Sequence, residues 1–260
     1  SRQLIERWHG CGRLAYAVTP RFAISSSAGQ LALAARLLAD YEGLHLQSHL
    51  AENRAEIAWL AELFPQARSN ADIFARHALL GERSIFAHAI WIDDEDRRQL
   101  AGAGAAISFC PSSNLFLGSG LFDLAAARAA GVKVGLGSDV GAGTSFSMLR
   151  TLADAYKVLQ LQGQYLDALN GFYLATLGGA QALRLDGQIG NFLPGKEADF
   201  VVLDLAATPL MARRIAACRT LEERLFALML LGDERNVFAT HVLGEASFRR
   251  GAFSQRAGSC

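Results

Sequence analysis

Short apolar segments of strand character alternate with longer helical ones through the first 160 residues, and this alternation limits the fold more than any other feature. The strand candidates are LAYAVTPRF (14–22), LHLQSHL (44–50), SIFAHAIWI (84–92), AAISFCP (105–111) and VKVGLGSDV (132–140). Between them fall helical patterns at 30–41, 52–64, 94–102 and 123–130; in the second, Ile57, Leu60, Ala61 and Phe64 make one apolar stripe. Such alternation predicts βα units around a parallel sheet. After residue 145 come two helical stretches, FSMLRTLADAYKVLQ and LDALNGFYLATLGGAQALRL. GNFLPGKEADFVVLDL and RNVFATHVLGEASFRRGAF follow and read as turns and strands of a small β module. The chain thus divides into five βα units within 1–185 and a helical and β segment over 186–260.

Five units make an open parallel sheet or most of a (β/α)8 barrel whose first three units are missing, and composition does not separate the two. No GxGxxG follows the first strand and no GxxxxGK[ST] occurs, so the glycine test for a nucleotide-binding sheet fails. Polar residues collect instead at the C-terminal ends of strands, at Arg21, His49, His88 and Asp139. Parallel barrels and sheets place their chemistry there.

At 260 residues and 51% hydrophobic, the chain predicts a sizeable core. Its 25 basic and 25 acidic residues cancel and are dispersed, which leaves no electrostatic footprint for nucleic acid or a membrane surface and points to a small neutral or weakly polar ligand. Apolar runs such as LFALMLLG (225–232) fall far short of the ~20 residues that span a bilayer, and no signal peptide is visible. Cys11, Cys110, Cys218 and Cys260 form no CxxC pair and read as reduced thiols of a cytoplasmic protein. The chain opens on Ser1 inside what looks like an amphipathic helix, SRQLIERW, which suggests a beginning further upstream.

In LHLQSHL the polar His45, Gln47 and His49 alternate with Leu44, Leu46 and Leu50, so the polar row would face a barrel interior and the leucines the surrounding helices. His49, at the end of that row, could ligate a metal. Glu52, three residues on, could take a proton from a metal-bound water. His88 lies in a strand so apolar that its ring must be satisfied by something. Asp139 ends a strand in which Gly135 and Gly137 share its face and leave room beside it. Each has an ordinary alternative: a hydrogen-bonded strand-end or core histidine, an N-cap aspartate, or a first-turn glutamate favoured by the helix dipole by about 0.3–1 kcal/mol. Four such coincidences at three strand ends weigh more together than each does alone. Two histidines and a carboxylate suit zinc, whose bound water ionises near pH ~7. Glu52 and His88 could then act as base and acid.

SHLAEN, FAHAIW, FCPSSNLFLGSGLFD and VGLGSDVGAGTSFSMLRTLADAYKV resemble the amidohydrolase superfamily, and within it the enzymes that deaminate guanine. VTPRFAISSS and GNFLPGKEADFVVLD extend the similarity over essentially the whole chain. The resemblance implies a zinc-dependent (β/α)8 barrel, one zinc ion per site, that adds water to the ring carbon of guanine bearing the exocyclic amine, releasing ammonia and leaving xanthine. It implies that His49 and Asp139 ligate zinc, that Glu52 shuttles the proton and that His88 orients hydroxide and intermediate. Arg21 and Phe22 would hold the purine, and the protein would be a cytoplasmic homodimer. One departure stands out: the HxH pair that the family carries at its first barrel strand is absent, and His9, His45, His77 and His241 show no such spacing. The chain is therefore expected to carry the family's barrel strands four to eight and half of the metal site, with both end strands open and the polar inner row exposed to water.

Three rivals follow. Another amidohydrolase acting on a different amino-heterocycle would share the chemistry, but Arg21 argues for guanine. A catalytically inactive remnant would keep the motifs without the metal. The unrelated zinc deaminases that use HxE and PCxxC fail, because FCPSSN places its Cys before the Pro and has no partner Cys.

Overall fold

The computed structural model describes residues 1–251; the last thiol of the sequence reading, Cys260, and the final two residues of its last β stretch lie outside them. Five parallel strands, β1 (Ala17–Val18), β2 (His45–Leu50), β3 (Ser84–His88), β4 (Ala106–Phe109) and β5 (Lys133–Leu136), pair in chain order, so β1 and β5 lie at the two ends of the sheet. Their connections carry α2 (Ala28–Asp40), α3 (Arg54–Leu63), α4 (Asn70–Arg76), α5 (Asp94–Gly102), α6 (Pro111–Phe116) and α7 (Leu124–Ala129), after a short α1 (Arg2–Trp8). Then follow α8 (Met148–Gln160), α9 (Ala168–Ala175) and α10 (Leu177–Ala182). A three-stranded antiparallel sheet, β6 (Phe200–Leu203), β7 (Val237–Val242) and β8 (Glu245–Arg249), is interrupted by α11 (Pro209–Ala216) and α12 (Leu221–Leu231).

Local chemistry explains the helix starts. Ser27 with Gln30, Asn53 with Glu56 and Thr220 with Glu223 form reciprocal capping boxes at α2, α3 and α12. On the helix-facing side of the sheet Leu46, Leu50, Phe86 and Phe109 are fully buried, with Phe74 on Phe86 and Phe122 on Phe109 at ring centroids 4.9 Å apart. Each such side chain contributes about 1.5–3 kcal/mol by leaving water. Met211, Leu228 and Met229 join Leu149 and Leu152 in a second cluster, so α11 and α12 are packed onto α8.

The strands are shorter than the sequence patterns suggest, and backbone conformation is the reason. Ala51, His88 and Asp139, all non-glycine, have φ of +46°, +71° and +47° at the mouths of β2, β3 and β5, a region costing about 1–3 kcal/mol that ends a strand. Pro111 opens α6 and leaves Cys110 as its N-cap, so the expected strand 105–111 stops at Phe109. Glu52 is not in the first turn of a helix either: α3 begins at Arg54, and Glu56 does the capping. Helix-dipole stabilisation therefore does not explain Glu52. The inner row is also less open than expected. His45 is buried, its Nε2 2.9 Å from the Leu183 carbonyl just past α10, whereas Gln47 is exposed.

Candidate functional site

His49 is the inward residue at the end of β2, and two contacts fix its ring. Its Nδ1–H donates to the Arg21 carbonyl at 2.7 Å, and its face stacks on Phe22 with centroids 4.0 Å apart. A histidine that spends Nδ1–H on a backbone carbonyl presents Nε2 as a lone pair, the arrangement common to metal-ligating histidines. Burial holds this imidazole below its ordinary pKa and so favours the neutral form.

His88 reaches the same place by a different route. Strand parity would align it with Ser84 and Phe86 against the helices, but its left-handed φ brings the ring to lie 5.2 Å from that of His49. Nδ1 lies 2.8 Å from Asn114 Oδ1. Nε2 is buried without a hydrogen-bond partner, 3.9 Å from Glu52 Oε2 and 3.8 Å from Asp139 Oδ2. Those distances exceed a direct hydrogen bond. An unpaired buried ring nitrogen between two carboxylates costs about 1–3 kcal/mol, a cost borne where a site recruits a further polar group.

Glu52 is 6% exposed, far below what an unpaired surface glutamate shows. Ser119 Oγ donates to its Oε1 at 3.1 Å, and its backbone N–H donates to Glu56 Oε2 at 2.7 Å. Glu56 is itself buried; it also accepts from Asn70 at 2.8 Å, and burial raises its pKa. Asp139, 30% exposed, completes the mouth from the end of β5. A Cβ on Gly137 would run into Ser108, and one on Gly135 would meet the Gly179 Cα at 3.0 Å. The two glycines thus permit β4 and α10 to approach closely, beyond the clearance beside Asp139 that the sequence suggests.

A cavity of about 380 Å³ opens below these groups, lined among others by Gln47, His49, Cys110, Gly137, Asp139 and Leu183. That volume lies within the range of small-molecule sites. Phe22 is stacked on His49, which lines the cavity, and the Arg21 guanidinium lies 5.6 Å over the Phe22 ring, exposed at the surface. All six residues singled out from sequence therefore gather at one end of the sheet. Asn114, which pairs with His88, and Ser119 and Glu56, which pair with Glu52, were not singled out. The Pro at the first position of α6 was the available signal, since it starts a helix and thereby places Asn114 in its first turn.

The donors suit zinc: His49 offers a neutral imidazole nitrogen and Asp139 a carboxylate. They do not make a complete set, because no group of three or more His, Cys, Asp or Glu that could hold a metal occurs among the described residues. A hydrolytic zinc site takes three protein ligands.

The family model described as "Amidohydrolase family" matches residues 1–246. The chain belongs to the amidohydrolase family. Among its relatives, the guanine deaminase of Escherichia coli is 50% identical over 250 residues, which cover 96% of this amidohydrolase and 57% of the relative. The solved E. coli guanine deaminase superposes with a TM-score of 0.95, covering 96% of this chain and 58% of that one. A guanine deaminase from C. acetobutylicum, solved with guanine bound in its active site, is 27% identical with a TM-score of 0.85, over 95% of this chain and 59% of that one. This amidohydrolase thus spans a little over half the length of the relatives it matches.

Proposed function

We propose that this site hydrolytically deaminates guanine. One observation carries the reading: His88 Nε2, unpartnered and buried, faces Glu52 and Asp139 at 3.9 and 3.8 Å beside the His49 ring, so four groups from three strand mouths converge on one point. The 50% identity to a guanine deaminase supports the substrate.

In this reading His49 and Asp139 would supply two of the protein ligands of a single zinc ion, which takes at least three in a hydrolytic site. Bound there, zinc supplies a Lewis acid and a water that ionises near pH ~7. The remaining steps belong to side chains of this chain. Glu52 takes a proton from the attacking water and delivers it to the adjacent ring nitrogen, then carries the proton of the new hydroxyl to the exocyclic amine, so that the carbon–nitrogen bond breaks, ammonia leaves and a ring carbonyl remains. His88 accepts a hydrogen bond at Nε2 and orients that water. Arg21 hydrogen-bonds the purine carbonyl, and Phe22 covers the ring. The five parallel strands would be strands four to eight of a (β/α)8 barrel, with 1–185 catalytic and 186–260 an appendage. The proposal takes in a cytoplasmic homodimer; no helix among the described residues is long and apolar enough to cross a membrane.

Competition decides the substrate. In the chain joined to a segment that supplies an HxH pair, ammonia release should be fastest with guanine and poorly inhibited by adenine or melamine. Equal or faster turnover of either would favour another amino-heterocycle.

A further inference from the structure

The imidazole ring has nearly the same shape when flipped by 180°, so packing alone does not select which nitrogen of His88 faces the site. The backbone leaves that choice open too, since a φ of +71° takes the residue off strand parity. One hydrogen bond discriminates. With Asn114 Oδ1 2.8 Å from Nδ1, and an amide oxygen only accepting, this pairing calls for the proton on Nδ1, whereas the reverse amide orientation would call for it on Nε2.

Asn114 is fully buried, and only its oxygen is engaged: its Nδ2 has no hydrogen-bond partner. The same short segment also secures the other site groups. Ser112 Oγ accepts from the Thr144 backbone N–H at 3.3 Å and lies 3.0 Å from Thr144 Oγ1, fastening the loop that follows Asp139. Ser119 Oγ donates to Glu52 at 3.1 Å, and the Ser119 carbonyl accepts from the Trp91 indole at 2.9 Å. Gly120 lets this turn press against Trp91, where a Cβ would come within 2.9 Å of the indole.

We propose that α6 and the turn after it form a positioning element, in which Asn114 fixes His88 as the Nδ1–H tautomer and so presents Nε2 to the reaction. The inference rests on the deaminase reading for the use made of Nε2, but not for the tautomer itself. Asn114 is a positioning residue, since it acts through His88.

The test uses ¹⁵N-histidine NMR at about pH 8.5, roughly two units above the ordinary imidazole pKa of about 6.5. The His88 signal is identified among the six histidines by its loss in His88→Gln. The wild-type protein should show the His88 proton on Nδ1. Asn114→Asp, which keeps the acceptor, should show the same, whereas Asn114→Leu should spread the proton over both nitrogens. In turnover of guanine by the protein completed with an HxH pair, Asn114→Leu should lower kcat by about 10–100-fold with KM within about threefold, as removal of an orienting partner typically does, and Asn114→Asp should recover most of it. An Nδ1–H signal that survives Asn114→Leu would overturn the proposal. So would an Asn114→Asp protein that is folded but loses the Nδ1–H tautomer, a test that holds even if Asn114→Leu fails to fold. Failure of the guanine reading would remove the turnover difference and leave the tautomer difference intact.

Discussion

His49 and Arg21, 28 residues apart in the chain, meet at one atom: the backbone N–H and the Nδ1–H of His49 both donate to the Arg21 carbonyl, at 3.0 and 2.7 Å. The residue read from sequence as a purine contact therefore also sets the orientation of the candidate metal ligand, and does so through its backbone. The two roles separate by mutation. In the protein completed with an HxH pair, Arg21→Leu keeps the carbonyl, so zinc content should be unchanged, while kcat/KM for guanine should fall because purine acceptors lose a donor worth roughly 1–3 kcal/mol. A loss below about threefold would mean that the guanidinium does not touch the substrate.

In the protein completed with an HxH pair, Glu52→Gln should cut turnover by about 10²–10⁴-fold with the metal still bound, the usual worth of general acid–base catalysis. Glutamine is isosteric and can still meet Ser119, so folding should be preserved. Near-wild-type turnover in that variant would remove Glu52 from the proton path.

The cysteines offer a check on packing around the cavity. Cys11 is exposed, whereas Cys110 is buried beside Ser108 with its thiol pushed up to about 12 by burial. The thiolate is the reactive form. Under native conditions near pH ~8, iodoacetamide should modify Cys11 and spare Cys110 and Cys218, with all three reacting after denaturation; peptide mapping reads the result. Labelling of native Cys110 at the rate of Cys11 would contradict the packing of β4 against β5.

The strand mouths were legible because a polar or charged residue closing an apolar run breaks its pattern, and Arg21, His49, His88 and Asp139 stood out in that way although each had an ordinary reading too. The βα order was legible for a related reason, since period-2 and period-3.6 patterns alternate cleanly as far as β5. Hidden from sequence were features that tertiary contacts impose. Left-handed backbone at Ala51, His88 and Asp139 shortens the strands and turns His88 inward, although none is a glycine. Asn114 and Ser119 carry no pattern of their own; their partners His88 and Glu52 lie 26 and 67 residues away. Glu52 looked like a first-turn glutamate because the cap, Asn53 with Glu56, begins one residue later.

Zinc content read together with ammonia released from guanine tests the central proposal most directly. It should be measured for the 260-residue chain alone and for the same chain joined to, or mixed with, a segment that supplies an HxH pair. With His49 and Asp139 as its two ligands, against the three that a hydrolytic site takes, the chain alone should bind zinc weakly or not at all and release no measurable ammonia, and the completed protein should do both. Stoichiometric zinc and ammonia release from the chain alone, or neither from the completed protein, would contradict it.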